Sequence, residues 1–145
     1  MINIKEILSK SKTIAMIGVS KDSTKPSTIV MKYMQKYGYK VVPVNPMAKG
    51  EKILGEEVFG KLEEIKIPID IVDVFRPSNE VLKIAEDTVK IKAKVLWLQL
   101  GISNDQAKTT VKSNNIEYVE NKCTKMEYQK IFLKKVQAFP VLINR

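Results

Sequence analysis

Short runs that are apolar on both faces alternate along this chain with longer stretches whose apolar residues recur every three or four positions. Thr13–Val19, Lys40–Val44, Ile69–Phe75 and Val95–Leu100 are of the first kind and are rich in Val and Ile. A strand without a polar face must be covered on both sides, the condition of strands inside a parallel sheet. Ile116–Val119 predicts a later strand, and Glu56–Phe59 a short one at an edge. The second kind predicts helices. Ile29, Val30, Tyr33, Met34 and Tyr37 share one helical face that ends at Gly38. Pro77 suits a first helical position, with Val81, Leu82, Ala85 and Val89 following at helical spacing. Ser103 with Gln106, and Thr124 with Glu127, have the spacing of capping boxes. Asn3–Lys10 predicts a short leading helix with Ile4, Ile7 and Leu8 turned inward.

Strands alternating with helices predict an α/β fold with a doubly wound, mainly parallel sheet. At 145 residues the chain is the size of one domain, and no Pro/Gly/Ser linker divides it. Such sheets bind ligands beyond the carboxyl ends of their strands, near the point where strand order reverses. The strand-end loops are therefore where chemistry is expected.

Composition narrows that chemistry. There is no histidine and one cysteine, which excludes Ser-His and Cys-His nucleophilic pairs, His-ligated zinc and a histidine pH switch. A lone Cys123 suits a reducing compartment. No apolar run approaches the length of a membrane span, and the N-terminus does not read as a signal peptide. The expectation is a cytoplasmic protein that does not bind membranes. The net charge is +9, yet only Arg76 and Arg145 among the 25 basic residues are arginine. The lysines are spread over both halves of the chain, whereas nucleic-acid readers concentrate positive charge and use arginine forks. No nucleic-acid partner is expected. A small phosphorylated ligand needs only two or three well-placed cations.

The first strand leaves through Gly18, Val19 and Ser20 and reaches a helix start near Lys25, Pro26 and Ser27. Free N–H groups and the helix dipole make such a turn a phosphate site, or it is simply a capped βα turn. It lacks the second and third glycines of G-x-G-x-x-G and is not a P-loop. The second strand ends in Asn45, Pro46, Met47, Ala48 and Lys49. An NAD site places an acid there for the ribose hydroxyls. Asn45 and Lys49 would instead accept a phosphorylated ribose, pointing to NADP or coenzyme A, unless Asn45-Pro46 is only a turn. At the later strand ends, Arg76 can pair with a phosphate or with Asp73, and Gln99 is placed to face a ligand. Trp97 and Asp73 read as core residues, the latter a hydrogen-bonded carboxylate. Cys123, at a helix start beside Lys122, could have a lowered pKa and exchange disulfides with a thiol, or be a half-buried small residue.

Taken in order, Ile17-Gly18-Val19-Ser20, Lys25-Pro26-Ser27, Pro43-Val44-Asn45-Pro46, Val72-Asp73-Val74-Phe75-Arg76, Trp97-Leu98-Gln99-Leu100-Gly101 and Asn121-x-Cys123 with Glu127 resemble the small stand-alone CoA-binding proteins. These are similar to the CoA-binding domain of the succinyl-CoA synthetase α subunit. The resemblance covers about residues 10–130. It implies a Rossmann-type domain with coenzyme A lying across the strand ends. Residues 18–27 would cradle the phosphates, Asn45 and Pro46 would line the nucleotide, and Phe75 and Arg76 would flank it. It implies no established reaction. Taken together, these readings give a non-catalytic domain spanning residues 1–145 that binds CoA or an acyl-CoA. The alternatives are an NADP-dependent or acyl-CoA-handling enzyme, and an interaction module of a CoA ligase-like complex. A protein partner or homo-oligomer fits the last of these. Phe132, Val136 and Phe139 belong to an extension, residues 131–145, beyond the matched motifs.

Overall fold

The computed structural model describes residues 3–134; Val136 and Phe139 of the extension lie outside them. Five strands, β1 (Thr13–Ile17), β2 (Lys40–Val44), β5 (Ile71–Val74), β6 (Val95–Leu98) and β7 (Glu117–Val119), form one sheet in the order β2-β1-β5-β6-β7. Every neighbouring pair is parallel. From β1 the chain first winds to β2 on one side and then returns to β5 on the other. The strand order therefore reverses between β1 and β5, and their carboxyl ends diverge there.

Strict alternation along the buried strands divides the core in two. Ile14, Met16, Ile71, Val95 and Trp97 face α1 (Ile4–Lys10), α2 (Pro26–Lys36) and α5 (Thr124–Tyr128). Ala15, Ile17, Val72, Val74, Leu96 and Leu98 face α3 (Val81–Lys90) and α4 (Asp105–Lys112). Trp97 is fully buried opposite Asp73 on the neighbouring strand, and its indole N–H donates to the Lys122 carbonyl at 2.7 Å. Phe132 packs against the α1–α2–α5 side, beside Tyr128.

Several local expectations are corrected. The strands are shorter than their apolar runs, because Val19 and Leu100 already belong to the exit loops. Glu56–Phe59 is not one edge strand. Lys52–Ile53 (β3) and Glu56–Glu57 (β4) form a separate antiparallel hairpin, and Phe59 makes a single parallel bridge to Val44. The hairpin turns through Leu54 at φ 50° and Gly55 at φ 83°, the left-handed pair of a tight two-residue turn. On α2 the buried stripe is Val30, Met31 and Met34, while Ile29 is 44% exposed. At 100° per residue Ile29 points away from the centre of the arc that Ser27, Val30, Met31 and Met34 bury.

Pro77 caps a 3-10 turn (Ser78–Glu80) rather than opening α3 directly. The cap of α4 is Asn104, not Ser103: its Oδ1 accepts the Ala107 N–H at 2.9 Å, while its Nδ2 donates to the Ser78 carbonyl. One amide thus serves both helix and loop, and the Ser103 N–H donates to the Ser78 hydroxyl instead. At α5 the cap is Cys123 without a side-chain bond, because the Thr124 hydroxyl is drawn to Asp73.

Candidate functional site

Gly18 sits where β1, β2 and β5 end together. Its N–H donates to the Val44 carbonyl at 2.9 Å, and its φ is 90°. A Cβ placed on it would lie 2.7 Å from the Phe75 carbonyl oxygen and 2.9 Å from Arg76 Cδ. Only glycine tolerates both the left-handed backbone and this approach. Beyond it opens a cleft of about 370 Å³ on the α3 side of the sheet. Ile17, Val44, Pro46, Leu62 and Ile84 supply apolar walls, and Asn45, Lys61, Arg76, Glu80 and Asp87 the polar groups.

Of the expected residues, Gly18, Asn45, Pro46 and Arg76 meet in this cleft. Asn45 works as a stitch. Its Nδ2 donates to the Val19 carbonyl and its Oδ1 accepts the Met47 N–H, which ties the two strand-end loops together. Arg76 does not pair with Asp73, which is buried on the opposite face of the sheet. Its guanidinium forks onto Glu80, at 2.9 and 2.7 Å. Hydrogen bonding to each other holds the Arg76 pKa up and the Glu80 carboxyl below its usual range.

The loop from Val19 to Ser27 follows Gly18, does not line the cleft, and is ordered from within. The Ser20 N–H donates to the Ser27 hydroxyl, Thr28 donates to the Ser20 carbonyl, and Ser20 Oγ accepts the Asp22 N–H. Asp22 folds back on Thr24, whose hydroxyl and N–H keep its carboxyl ionised below the usual range. That puts one negative charge on the loop. Among the described residues the N–H groups of Lys21, Ser23 and Ser27 find no acceptor, and Lys25 makes no ion pair. Val19 is buried, with its side chain in the α2-side core.

Lys49, Phe75 and Gln99 also lie outside the cleft lining. Lys49 pairs with Glu64 at 2.7 Å, and its stem packs beside Gly60. The Phe75 carbonyl oxygen packs closely over Gly18 without a hydrogen bond to it, and the Phe75 ring packs in the α1–α2–α5 core. Gln99 does not face the cleft. It is 4% exposed, donating to Asp73 Oδ1 at 2.5 Å and to Thr124 Oγ1 at 3.1 Å. The Thr124 hydroxyl completes the triangle by donating to Asp73 Oδ2 at 3.0 Å. A carboxylate in mid-sheet needs those donors more than a ligand would. Burial nevertheless pushes the Asp73 pKa up to about 7.

Lys61, Glu80 and Asp87 line the cleft although the sequence reading passed over them. Gly60, beside Lys61, was the available signal. Cys123 follows the second of its two readings, a half-buried small residue. Burial raises its pKa, outweighing the N–H groups of Met126 and Lys125 at the start of α5. A thiol held neutral by its surroundings is a poor partner for disulfide exchange. Among the described residues there is no cluster of three potential metal ligands, and no helix is long and apolar enough to cross a membrane.

Comparison with known proteins places this geometry. Residues 12–129 match the family model described as CoA binding domain. The uncharacterized protein YneT of Bacillus subtilis is 38% identical over 125 residues, covering 86% of this chain and 91% of its own. A Thermus thermophilus structure, cell-free ID.343, superposes with a TM-score of 0.86 at 35% identity, covering 90% of this chain and all of its own. The ADP-forming acetate–CoA ligase of Methanocaldococcus jannaschii is 26% identical over 125 residues, which are 80% of this chain but 17% of the ligase. The chain that carries this glycine junction, reversed strand order and pair of stitched loops belongs to the CoA binding domain family.

Proposed function

We propose that this protein binds coenzyme A, or an acyl-CoA, across the carboxyl ends of β1, β2 and β5, and that it has no catalysis of its own. The observation that carries this reading is the Gly18 junction, where backbone alone forms the floor at the reversal of strand order. The nucleotide occupies the cleft between Asn45-Pro46 and Arg76. Its pyrophosphate lies on the loop from Ser20 to Ser27, against the open N–H groups of Lys21, Ser23 and Ser27 and the cation of Lys25. Lys61 takes the part that Lys49, held by Glu64, does not fill. The residues present suit the group: an apolar slot for a base, main-chain donors for phosphates, and no acid at Asn45 to claim unphosphorylated ribose hydroxyls. Similarity to the CoA-binding part of a much longer ligase supports the same class of ligand. A single free thiol fits a cytoplasmic setting.

Isothermal titration with CoA, dephospho-CoA, NADP and NAD at one salt concentration tests the reading, since phosphate contacts are screened by salt. CoA should bind most tightly, dephospho-CoA more weakly and NAD least. Tighter binding of NADP or NAD than of CoA would overturn it.

A further inference from the structure

A second recess of about 600 Å³ lies away from the cleft, along the outer side of α2. Ile29, Lys32, Tyr33 and Lys36 recur there at helical spacing and form one face of that helix. Leu54 from the β3–β4 turn and Lys125 from α5 join them in the lining. No lining residue is acidic, and none of the three lysines pairs with a carboxylate among the described residues. The acids nearest in sequence to Leu54 and Lys125 are engaged elsewhere, Glu56 by Lys40 and Glu127 by Lys130. Two of the lysines rest near rings instead: Lys125 Nζ lies 5.4 Å from the Tyr33 centroid and Lys36 Nζ 5.5 Å from that of Tyr37.

The face is apolar as well as cationic, and its apolar part is built at a conformational cost. Leu54 holds φ 50°, a backbone that glycine or asparagine adopts more readily. The turn is fixed against α2 by a hydrogen bond from the Gln35 amide to the Leu54 carbonyl. Its side chain stays 38% exposed, so burial within this chain does not offset that backbone. Ile29 is likewise an aliphatic side chain that the core did not take up.

The layout suits a long partner rather than a compact one. An 11-residue helix spans about 16 Å, with Ile29 in its first half and Lys32 and Lys36 one and two turns further on. A small anion that meets the lysines leaves the aliphatic end bare. A peptide segment covers both, with an aliphatic side chain against Ile29 and Leu54 and carboxylates one and two turns later. A second copy of this chain, at a net charge of +9, is repelled. No arginine lines the recess to fork onto a nucleic-acid backbone.

We infer that this face of α2 docks an acidic segment of a partner protein, seating an aliphatic side chain between Ile29 and Leu54 and carboxylates on Lys32, Lys36 and Lys125. None of these residues lines the cleft, so the inference does not depend on the CoA reading. Its ion pairs are open to solvent on one side, which makes the association modest in strength and sensitive to salt.

The test is fluorescence anisotropy on the full chain, with a labelled helical peptide of glutamates and alanines carrying leucine at every fourth position. One twin has glutamine for each glutamate, and another has alanine for each leucine. The acidic peptide should bind about fivefold or more tightly than either twin, the scale of a few part-exposed ion pairs. Lys32→Glu with Lys36→Glu should weaken it by about tenfold. Lys108→Glu with Lys112→Glu makes the same charge change on α4, across the sheet, and should weaken it by less than about twofold. All four positions are exposed on helices, where glutamate is as acceptable as lysine. A peptide with lysine for each glutamate should bind the α2 double variant and not the parent. Leu54→Gly should weaken the acidic peptide, with a melting temperature equal to or above that of the parent, because glycine relaxes the turn. No binding of the acidic peptide up to about 1 mM, or equal binding of the glutamine twin, would overturn the inference. Equal losses in the α2 and α4 variants would reduce it to net charge and overturn it as well. A single-stranded oligonucleotide that binds more tightly through the same lysines would overturn the assignment to a protein partner.

Discussion

Replacing Asp73 by asparagine keeps the shape of a fully buried side chain and removes its proton equilibrium. In the native protein Asp73 accepts from Gln99 and Thr124, and burial lifts its pKa from 3.8 to about 7. The raised value means that the folded state holds a proton which the unfolded chain has released. Stability from this group is complete below pH 3.8 and is lost as pH rises through about 7. Between pH 5 and pH 8 the loss is about 2–3 kcal/mol, from about 1.36 kcal/mol per pH unit over the part of the window below the folded pKa. The asparagine side chain carries no such dependence. Its amide can donate to Gln99, which turns its own amide to accept, while Thr124 donates to the new carbonyl. Urea denaturation of both proteins at pH 5 and pH 8 reads the effect as a difference of differences, which cancels every other titrating group. The Asp73→Asn variant should gain on the parent by that amount at the higher pH. Parallel pH dependences, or a parent that gains on the variant as pH rises, would refute the argument that Asp73 is neutral in the fold at low pH.

Gly18→Ala should cost a few kcal/mol, about 2–4 by analogy with other overpacked and strained backbone sites, and abolish CoA binding; thermal melting and titration check the two parts separately. Asn104→Ala should destabilise the protein by about 1 kcal/mol through loss of the α4 cap, whereas Ser103→Ala should change stability by less than about 0.5 kcal/mol; chemical denaturation of the pair distinguishes the observed cap from the expected one. Cys123 should react with iodoacetamide more slowly than glutathione does at pH 7, and its rate should still be climbing at pH values where glutathione has levelled off, because burial raises its pKa; a faster reaction than glutathione at pH 7 would contradict that environment.

The sheet was legible because its strands are apolar on both faces, a pattern that few other structures produce. Gly18, Asn45 and Arg76 were legible for a related reason: they stand at the ends of those runs, where the chain leaves the sheet. What the pattern could not reveal was partnership across long separations. Gln99 reads as a polar residue at a strand end, and its commitment to Asp73, 26 positions earlier, follows only from the register of β5 and β6. Lys49 reads as a cation awaiting phosphate until the loop containing Glu64 folds beside it. The capping boxes failed in the same way. Thr124 has the right spacing, but a buried carboxylate competes for its hydroxyl and wins. Ile29 and Tyr33 fall one turn apart as Val30 and Met34 do, and only the packing of α2 on the sheet shows that the second pair, with Met31, is the buried one.

Trp97 is the chain's one tryptophan, and its burial at the sheet centre gives the protein an optical reporter of its own. A solvent-free indole emits towards the blue and shifts red once water reaches it. The ring stands opposite Asp73 and is tethered to Lys122 just ahead of α5, so its emission follows the loss of α5 from the sheet. The cleft opens on the other face, against α3, and a nucleotide there leaves the indole dry. Unfolding and ligand occupancy can therefore be followed in separate channels of one unlabelled sample, fluorescence for the first and heat for the second.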